Sequence, residues 1–169
     1  MAKKCIFLDR DGVINRDYPD YVYTPDKLEI LPGVRESLVS LKQKDYLLIV
    51  ITNQSGIAQG LYTREQMHAC HRIIQESCNH NIDHFYYAPW HPSVTESLTR
   101  KPGSLMFEKA IAKYDIDVVR SWMIGDKDRD LIPAKKLGIK TIQVAHNDST
   151  NADYKAGDLS GAVEVIFGL

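Results

Sequence analysis

The sequence predicts an α/β protein: a mostly parallel sheet with helices on both faces. Three observations carry this. The strand-length segments are apolar throughout rather than alternating, as strands buried on both faces are. Each is followed by an amphipathic stretch long enough for a helix. The chain has 169 residues, 44% hydrophobic and 25% charged, which suits one domain over residues 1–169 with a sizeable core.

The elements follow in order. "KCIFLD" (4–9) reads as a buried strand, "VRESLVSLKQK" (34–44) as a helix entered through Pro32 and Gly33, and "YLLIVIT" (46–52) as a second buried strand. "TREQMHACHRIIQES" (63–77) opens with a capping-box pattern, Thr63 to Gln66, and leads to the strand "DHFYYA" (83–88). "SLMFEKAIAKYD" (104–115) is a helix, "SWMIGD" (121–126) a strand, "RDLIPAKKLG" (129–138) a helix closed by Gly138, and "KTIQVA" (140–145) a strand. No element is read beyond Ala145. No repeat or linker divides the chain.

Composition excludes several classes. The longest apolar run, "YLLIVI", is far short of the roughly 18 residues that span a bilayer, so no membrane partner is expected. With 21 basic and 22 acidic residues the formal charge is −1, which gives nucleic acid no electrostatic footing. The start "MAKKCIFLDRD" lacks the apolar core of a signal peptide. Cys5, Cys70 and Cys78 read as reduced thiols, so a cytoplasmic location is expected. No segment reads as an association surface, and the expected state is a monomer.

In an open α/β sheet, ligands sit beyond the carboxyl ends of the strands. After the first strand come Asp9 and Asp11. After the second come Thr52, Asn53, Gln54, Ser55 and Gly56. The third leads to Arg100 and Lys101, the fourth to Gly125, Asp126 and Lys127. Taken singly, each has a bland reading: an Asp after a strand caps a helix, and a Lys is a solvated cation. Taken together, four loops deliver carboxylates, a hydroxyl and cations to one edge. Clustered carboxylates repel unless a cation joins them, and all-oxygen ligands favour Mg²⁺ over zinc.

"DRDGVI", "VITNQSG", "RKPG" and "IGDKDRD" stand in the order and spacing of the four signature motifs of the haloacid dehalogenase (HAD) superfamily, and nearly the whole chain resembles these aspartate-nucleophile phosphatases. The resemblance implies a three-layer, Rossmann-like fold, Mg²⁺ and a phosphoaspartate intermediate. Asp9 would be the nucleophile, and Asp11 the acid that protonates the leaving oxygen and then the base that activates water. The metal would be held by the Asp9 carboxylate, the Asp11 main-chain carbonyl and Asp126. Thr52, the Asn53 N–H and Lys101 would bind the equatorial oxygens. Asp130 would orient Lys127 or a metal-bound water.

"DYPDYV", "LEILPGV" and "YYAPWHP" add a likeness to the branch of heptose 1,7-bisphosphate 7-phosphatases and histidinol-phosphate phosphatases. The gaps between motifs leave no room for a large cap domain. By resemblance, residues 17–21, including Asp17, Asp20 and Tyr21, would wall the sugar site. Thr52 to Ser55, with Asn53 and Gln54, would form its floor. Arg100 and Lys127 would hold a second, non-transferred phosphate, a contact that suits the planar fork of Arg. The expected substrate is a heptose 1,7-bisphosphate, with histidinol phosphate or another small phosphomonoester as the alternative. A non-enzymatic phospho-receiver is disfavoured, because its acceptor Asp follows a middle strand and it lacks an acid such as Asp11.

Members of that branch commonly carry a zinc loop with Cys-x-His and Cys-x-Cys pairs. Ala88 and Trp90, then Ser97 and Thr99, stand in those places, so structural zinc is expected to be absent. Packing by Trp90, Pro89 and Pro92 is expected to hold the loop instead. His68, Cys70, His71, Cys78 and His80 fall on several faces of one helix and read as packing and surface residues rather than a metal site.

Overall fold

The computed structural model describes residues 2–145 and 149–168. Six strands, β1 (Cys5–Leu8), β2 (Leu47–Asn53), β3 (His84–Ala88), β4 (Trp122–Gly125), β5 (Lys140–Gln143) and β6 (Tyr154–Lys155), form one sheet in the order β3-β2-β1-β4-β5-β6. Every neighbouring pair is parallel. The α-helices among the described residues are α1 (Val34–Gln43), α2 (Arg64–Ser77), α3 (Leu105–Tyr114), α4 (Asp128–Lys136) and α5 (Leu159–Gly168).

Strand alternation sorts the core into two layers. Ile6, Leu8, Leu48, Val50, Ile124 and Ile142 point to one face, where they meet Leu38 and Leu41 of α1, Ile74 of α2, and Ala162 and Ile166 of α5. The residues between them, Cys5, Phe7, Ile49, Ile51 and Met123, point to the other face and meet Phe107 of α3 and Leu131 and Ala134 of α4. Period-2 side chains with an apolar residue at every position require this double cover.

Each element read from the sequence up to residue 145 is present, with ends moved by a residue or two. The capping box of α2 forms in both directions: Thr63 N–H donates to Gln66 Oε1 at 2.9 Å, and Gln66 N–H donates to Thr63 Oγ1 at 3.2 Å. Gly138 closes α4 with φ of +80°. Two elements went unread. β6 is two exposed residues at the sheet edge. α5 buries Leu159, Ala162, Val163 and Ile166, at helical spacing, but lies within a short segment interrupted by glycine.

The loop between β3 and α3 differs from the expectation. Pro89 is buried, but Trp90 and Pro92 are exposed, so aromatic packing does not hold it. Polar contacts do: the backbone N–H groups of Val94 and Thr95 donate to His91 O, Ser93 N–H donates to His91 Nδ1 at 3.1 Å, and the Ser97 and Thr99 hydroxyls meet at 2.7 Å.

Candidate active site

The carboxyl ends of β1, β2 and β4 meet at a buried charged cluster. Asp9 follows β1, and its backbone N–H donates to Ile124 O of β4 at 3.0 Å, which ties the two strand ends together. Asp126 follows β4, and Asp130 sits on the first turn of α4. Carboxylate oxygens of Asp9, Asp126 and Asp130 lie within 4.8 Å of one another, and all three residues are buried. Gly12 makes the approach possible: its φ is +89°, and a Cβ there would stand 2.6 Å from Asp126 Oδ2.

Lys101 enters from the loop before α3. Its buried ammonium donates to Ile51 O at 2.7 Å and pairs with Asp9 Oδ1 at 2.9 Å and Asp130 Oδ1 at 2.6 Å. Burial alone would push Lys101 down, but Asp130 and Asp9 outweigh it and raise it. The side chain of Asn53 steers this residue, accepting from Lys101 N–H and donating to Lys101 O, both at 3.0 Å.

One buried ammonium does not balance three carboxylates. Burial, followed by repulsion from Asp130, pushes Asp9 up to about 7 even with Lys101 opposing. The same two causes push Asp126 up to about 6, with Lys127 opposing. An all-oxygen, over-negative cluster suits a hard divalent cation such as Mg²⁺. Asp130 accepts from the backbone N–H of its expected neighbour Lys127 at 3.2 Å, and its side chain also pairs with the Lys101 ammonium, a partner the sequence did not indicate.

The Asp11 carboxylate turns away from this cluster. Its Oδ1 accepts from Arg10 Nη2 (2.8 Å), Arg10 Nε (3.1 Å) and Asn15 Nδ2 (2.9 Å), and its Oδ2 accepts from Gln54 Nε2 (3.1 Å). Thr52, fully buried at the end of β2, accepts from the same Gln54 amide at 2.9 Å.

Beside the cluster opens a polar cleft of about 260 Å³. Asp17, Tyr18, Pro19 and Tyr21 of the 17–21 segment line it together with Asp11, Asn53, Ser55, Arg100 and Lys127, and so do His91 and Arg129, which the sequence did not place there. Lys127 pairs with Asp17 and, at 3.5 Å, with Asp126. Arg100 donates to Trp90 O at 3.2 Å, and burial followed by the nearby charge of Arg129 lowers it. Arg129 Nε is buried with no hydrogen-bond partner among the described residues. The sequence carried one signal for it, its place inside "IGDKDRD", but nothing in that string says which of its charges faces the cleft.

Four predicted substrate contacts are not among the cleft's lining residues: Thr52 and Lys101 are buried, and Asp20 and Gln54 turn elsewhere. Asp20 is exposed and pairs with Lys27. Gln54 is 1% exposed and faces Asp11, Thr52 and Tyr62 instead of the cleft. A larger groove, about 850 Å³, lies along α2 and β3 among His68, His71, His80 and His84 and shares no residue with the cluster. His71 there stacks on Phe85 at 4.4 Å, and burial pushes it down to about 3, while Cys70 and Cys78 are in the core. Among the described residues, the Asp9, Asp126 and Asp130 group is the one set placed to share a metal ion.

Comparison with known proteins agrees with this geometry. The family model described as HAD-hydrolase-like matches residues 98–165. The D-glycero-beta-D-manno-heptose-1,7-bisphosphate 7-phosphatase of Haemophilus ducreyi is 38% identical over 150 residues, covering 83% of this chain and 82% of the relative. The Escherichia coli protein of the same name is 39% identical over 152 residues, covering 83% and 80%. The crystal structure of D,D-heptose 1,7-bisphosphate phosphatase from B. bronchiseptica, complexed with magnesium and phosphate, superposes with a TM-score of 0.89 at 29% identity over 98% of each chain. The chain therefore belongs to the HAD phosphatases, in the family whose relatives carry the name heptose-1,7-bisphosphate 7-phosphatase.

Proposed function

We propose that this protein, with residues 1–169 acting as a single HAD-like domain, is a Mg²⁺-dependent phosphatase that removes the 7-phosphate of D-glycero-D-manno-heptose 1,7-bisphosphate through an aspartyl phosphate on Asp9. The observation that carries the substrate class is the cleft beside Asp9, where Arg100, Lys127 and Arg129 converge and a buried Arg129 donor has no hydrogen-bond partner among the described residues. Such a site suits a second phosphate. Histidinol phosphate, which carries a cationic amine, would bring positive charge toward three cations.

In this reading Asp9 attacks phosphorus in line while the P–O bond to the sugar breaks. Asp11 gives its proton to the departing oxygen, then takes one from the water that cleaves the aspartyl phosphate. Thr52, the Asn53 N–H and Lys101 receive the equatorial oxygens. Asp9, Asp126 and the Asp11 carbonyl would hold Mg²⁺, which when bound neutralises the phosphoryl oxygens and the crowded carboxylates. Asp130 keeps Lys101 charged and aimed. Ala88, Trp90, Ser97 and Thr99 offer neither thiolate nor imidazole, so the loop they mark works without zinc.

The test compares turnover of the heptose bisphosphate with that of histidinol phosphate. A clear preference for the bisphosphate is expected, with Asp9→Asn losing at least about a thousandfold. Preference for histidinol phosphate would overturn the substrate, and an active Asp9→Asn the mechanism.

A further inference from the structure

Behind the reacting groups lies an arrangement that the mechanism above leaves without a role. Both amide hydrogens of the buried Gln54 are committed, one to Asp11 Oδ2 at 3.1 Å and one to Thr52 Oγ1 at 2.9 Å. A carboxylate oxygen facing the amide must meet its NH₂ end, so the chemistry of Asp11 dictates which way the amide points. The Gln54 Oε1 accepts from the Tyr62 hydroxyl at 2.7 Å, and the Gln54 backbone N–H donates to Ala88 O at 2.8 Å.

Tyr62 cannot swing away. It is 4% exposed, its ring stacks on Tyr23 at 4.9 Å and 7°, and it tilts against Tyr21 at 5.8 Å. Gly56 also abuts the ring, so closely that a Cβ there would stand 2.3 Å from a ring carbon of Tyr62.

We propose that Gln54, backed by Tyr62, is a positioning residue that aims the Asp11 carboxyl and the Thr52 hydroxyl at the transferring phosphoryl group. The inference rests on the reading of Asp11 as acid and base. Thr52 Oγ1 accepts from Gln54, which leaves its own proton to be donated outward to a phosphoryl oxygen. Among the described residues, Asp11 Oδ1 accepts three hydrogen bonds and Oδ2 only the one from Gln54, so Oδ2 is the oxygen with room for a transferable proton. As that proton passes to the leaving oxygen and the P–O bond breaks, Asp11 becomes a carboxylate. Its hydrogen bond from Gln54 then becomes charge-assisted, so the contact strengthens along the reaction coordinate. Tyr62 links this pair to Tyr21 in the cleft wall, so the acid and the substrate wall share one rigid support.

The test measures kcat/KM for phosphate monoesters whose leaving groups run from 4-nitrophenol through phenol to a simple alcohol. This ratio reports ester cleavage alone, and only a poor leaving group needs the proton. Gln54→Leu is expected to lose at least about tenfold more on the alkyl ester than on the nitrophenyl ester. Tyr62→Phe keeps the ring stack and should shift the ratio in the same direction by about threefold. Equal losses on every ester in both variants would overturn the proposal, because a merely structural defect is blind to the leaving group. Asp11→Asn separates the two readings. If it steepens the leaving-group dependence and the Gln54 and Tyr62 variants do not, positioning fails alone; if it does not steepen it, the acid assignment falls and the proposal with it.

Discussion

Arg129 shows how a residue can be conspicuous in structure and silent in sequence. "IGDKDRD" holds five charges in its last five positions, and the turn into α4 decides their fates. Asp126 joins the carboxylate cluster, Lys127 pairs with Asp17, Asp128 is exposed, Arg129 lines the cleft, and Asp130 is buried against Lys101. A charged hydrogen bond contributes about 1.5–3 kcal/mol, so Arg129→Ala should lower kcat/KM for the heptose bisphosphate by about tenfold to a hundredfold. An aryl monophosphate, with nothing to place beside Arg129, should change by less than about threefold. Equal losses on both substrates would remove the second-phosphate role. Gln54 teaches the converse: its place in the motif implied substrate contact, yet burial turned it toward Asp11 and Thr52.

Among the elements, α2 was read most fully, because its start signal is local. Thr63 and Gln66 satisfy each other's backbone donors regardless of what the helix packs against. Thr63→Ala should cost about 1 kcal/mol, seen as a lower urea midpoint with an unchanged m-value. An unmoved midpoint would mean the box contributes nothing. α5 was missed despite correct spacing of Leu159, Ala162, Val163 and Ile166, because ten residues containing Gly161 and Gly168 give weak periodicity. β6 carries no pattern at all. Its two residues pair with Ile142 and Gln143 through backbone alone, a long-range event that no local rule reports.

At the scale of the whole molecule, crowded carboxylates link proton, metal and stability. Asp9 and Asp126, pushed up to about 7 and about 6, favour folding when protonated. The stability they contribute is present below the ordinary carboxylate range and is lost as pH rises through about 6 to 7. Mg²⁺ must displace those protons and then neutralises the repulsion, so its thermal stabilisation should grow between about pH 5 and pH 8. Scanning calorimetry with and without Mg²⁺ checks this, and a metal effect that is flat or falls with pH would refute it. Elemental analysis of the same purified protein should find no stoichiometric zinc.

The parallel sheet, its two apolar faces and the edge at which Asp9, Thr52, Lys101 and Asp126 would gather were all determined by sequence alone. Strand alternation and the placement of loops after strands are local rules that leave few topologies open. Only the tertiary structure decided what those groups face. Lys101 lies between Asp9 and Asp130, Asp11 is turned from the cluster by Arg10, Asn15 and Gln54, and Arg129 reaches the cleft while Asp20 does not. The physical reason is that charge–charge and hydrogen-bond partners are chosen by distances between loops far apart in the chain, and these exist only once the sheet has brought the loops together.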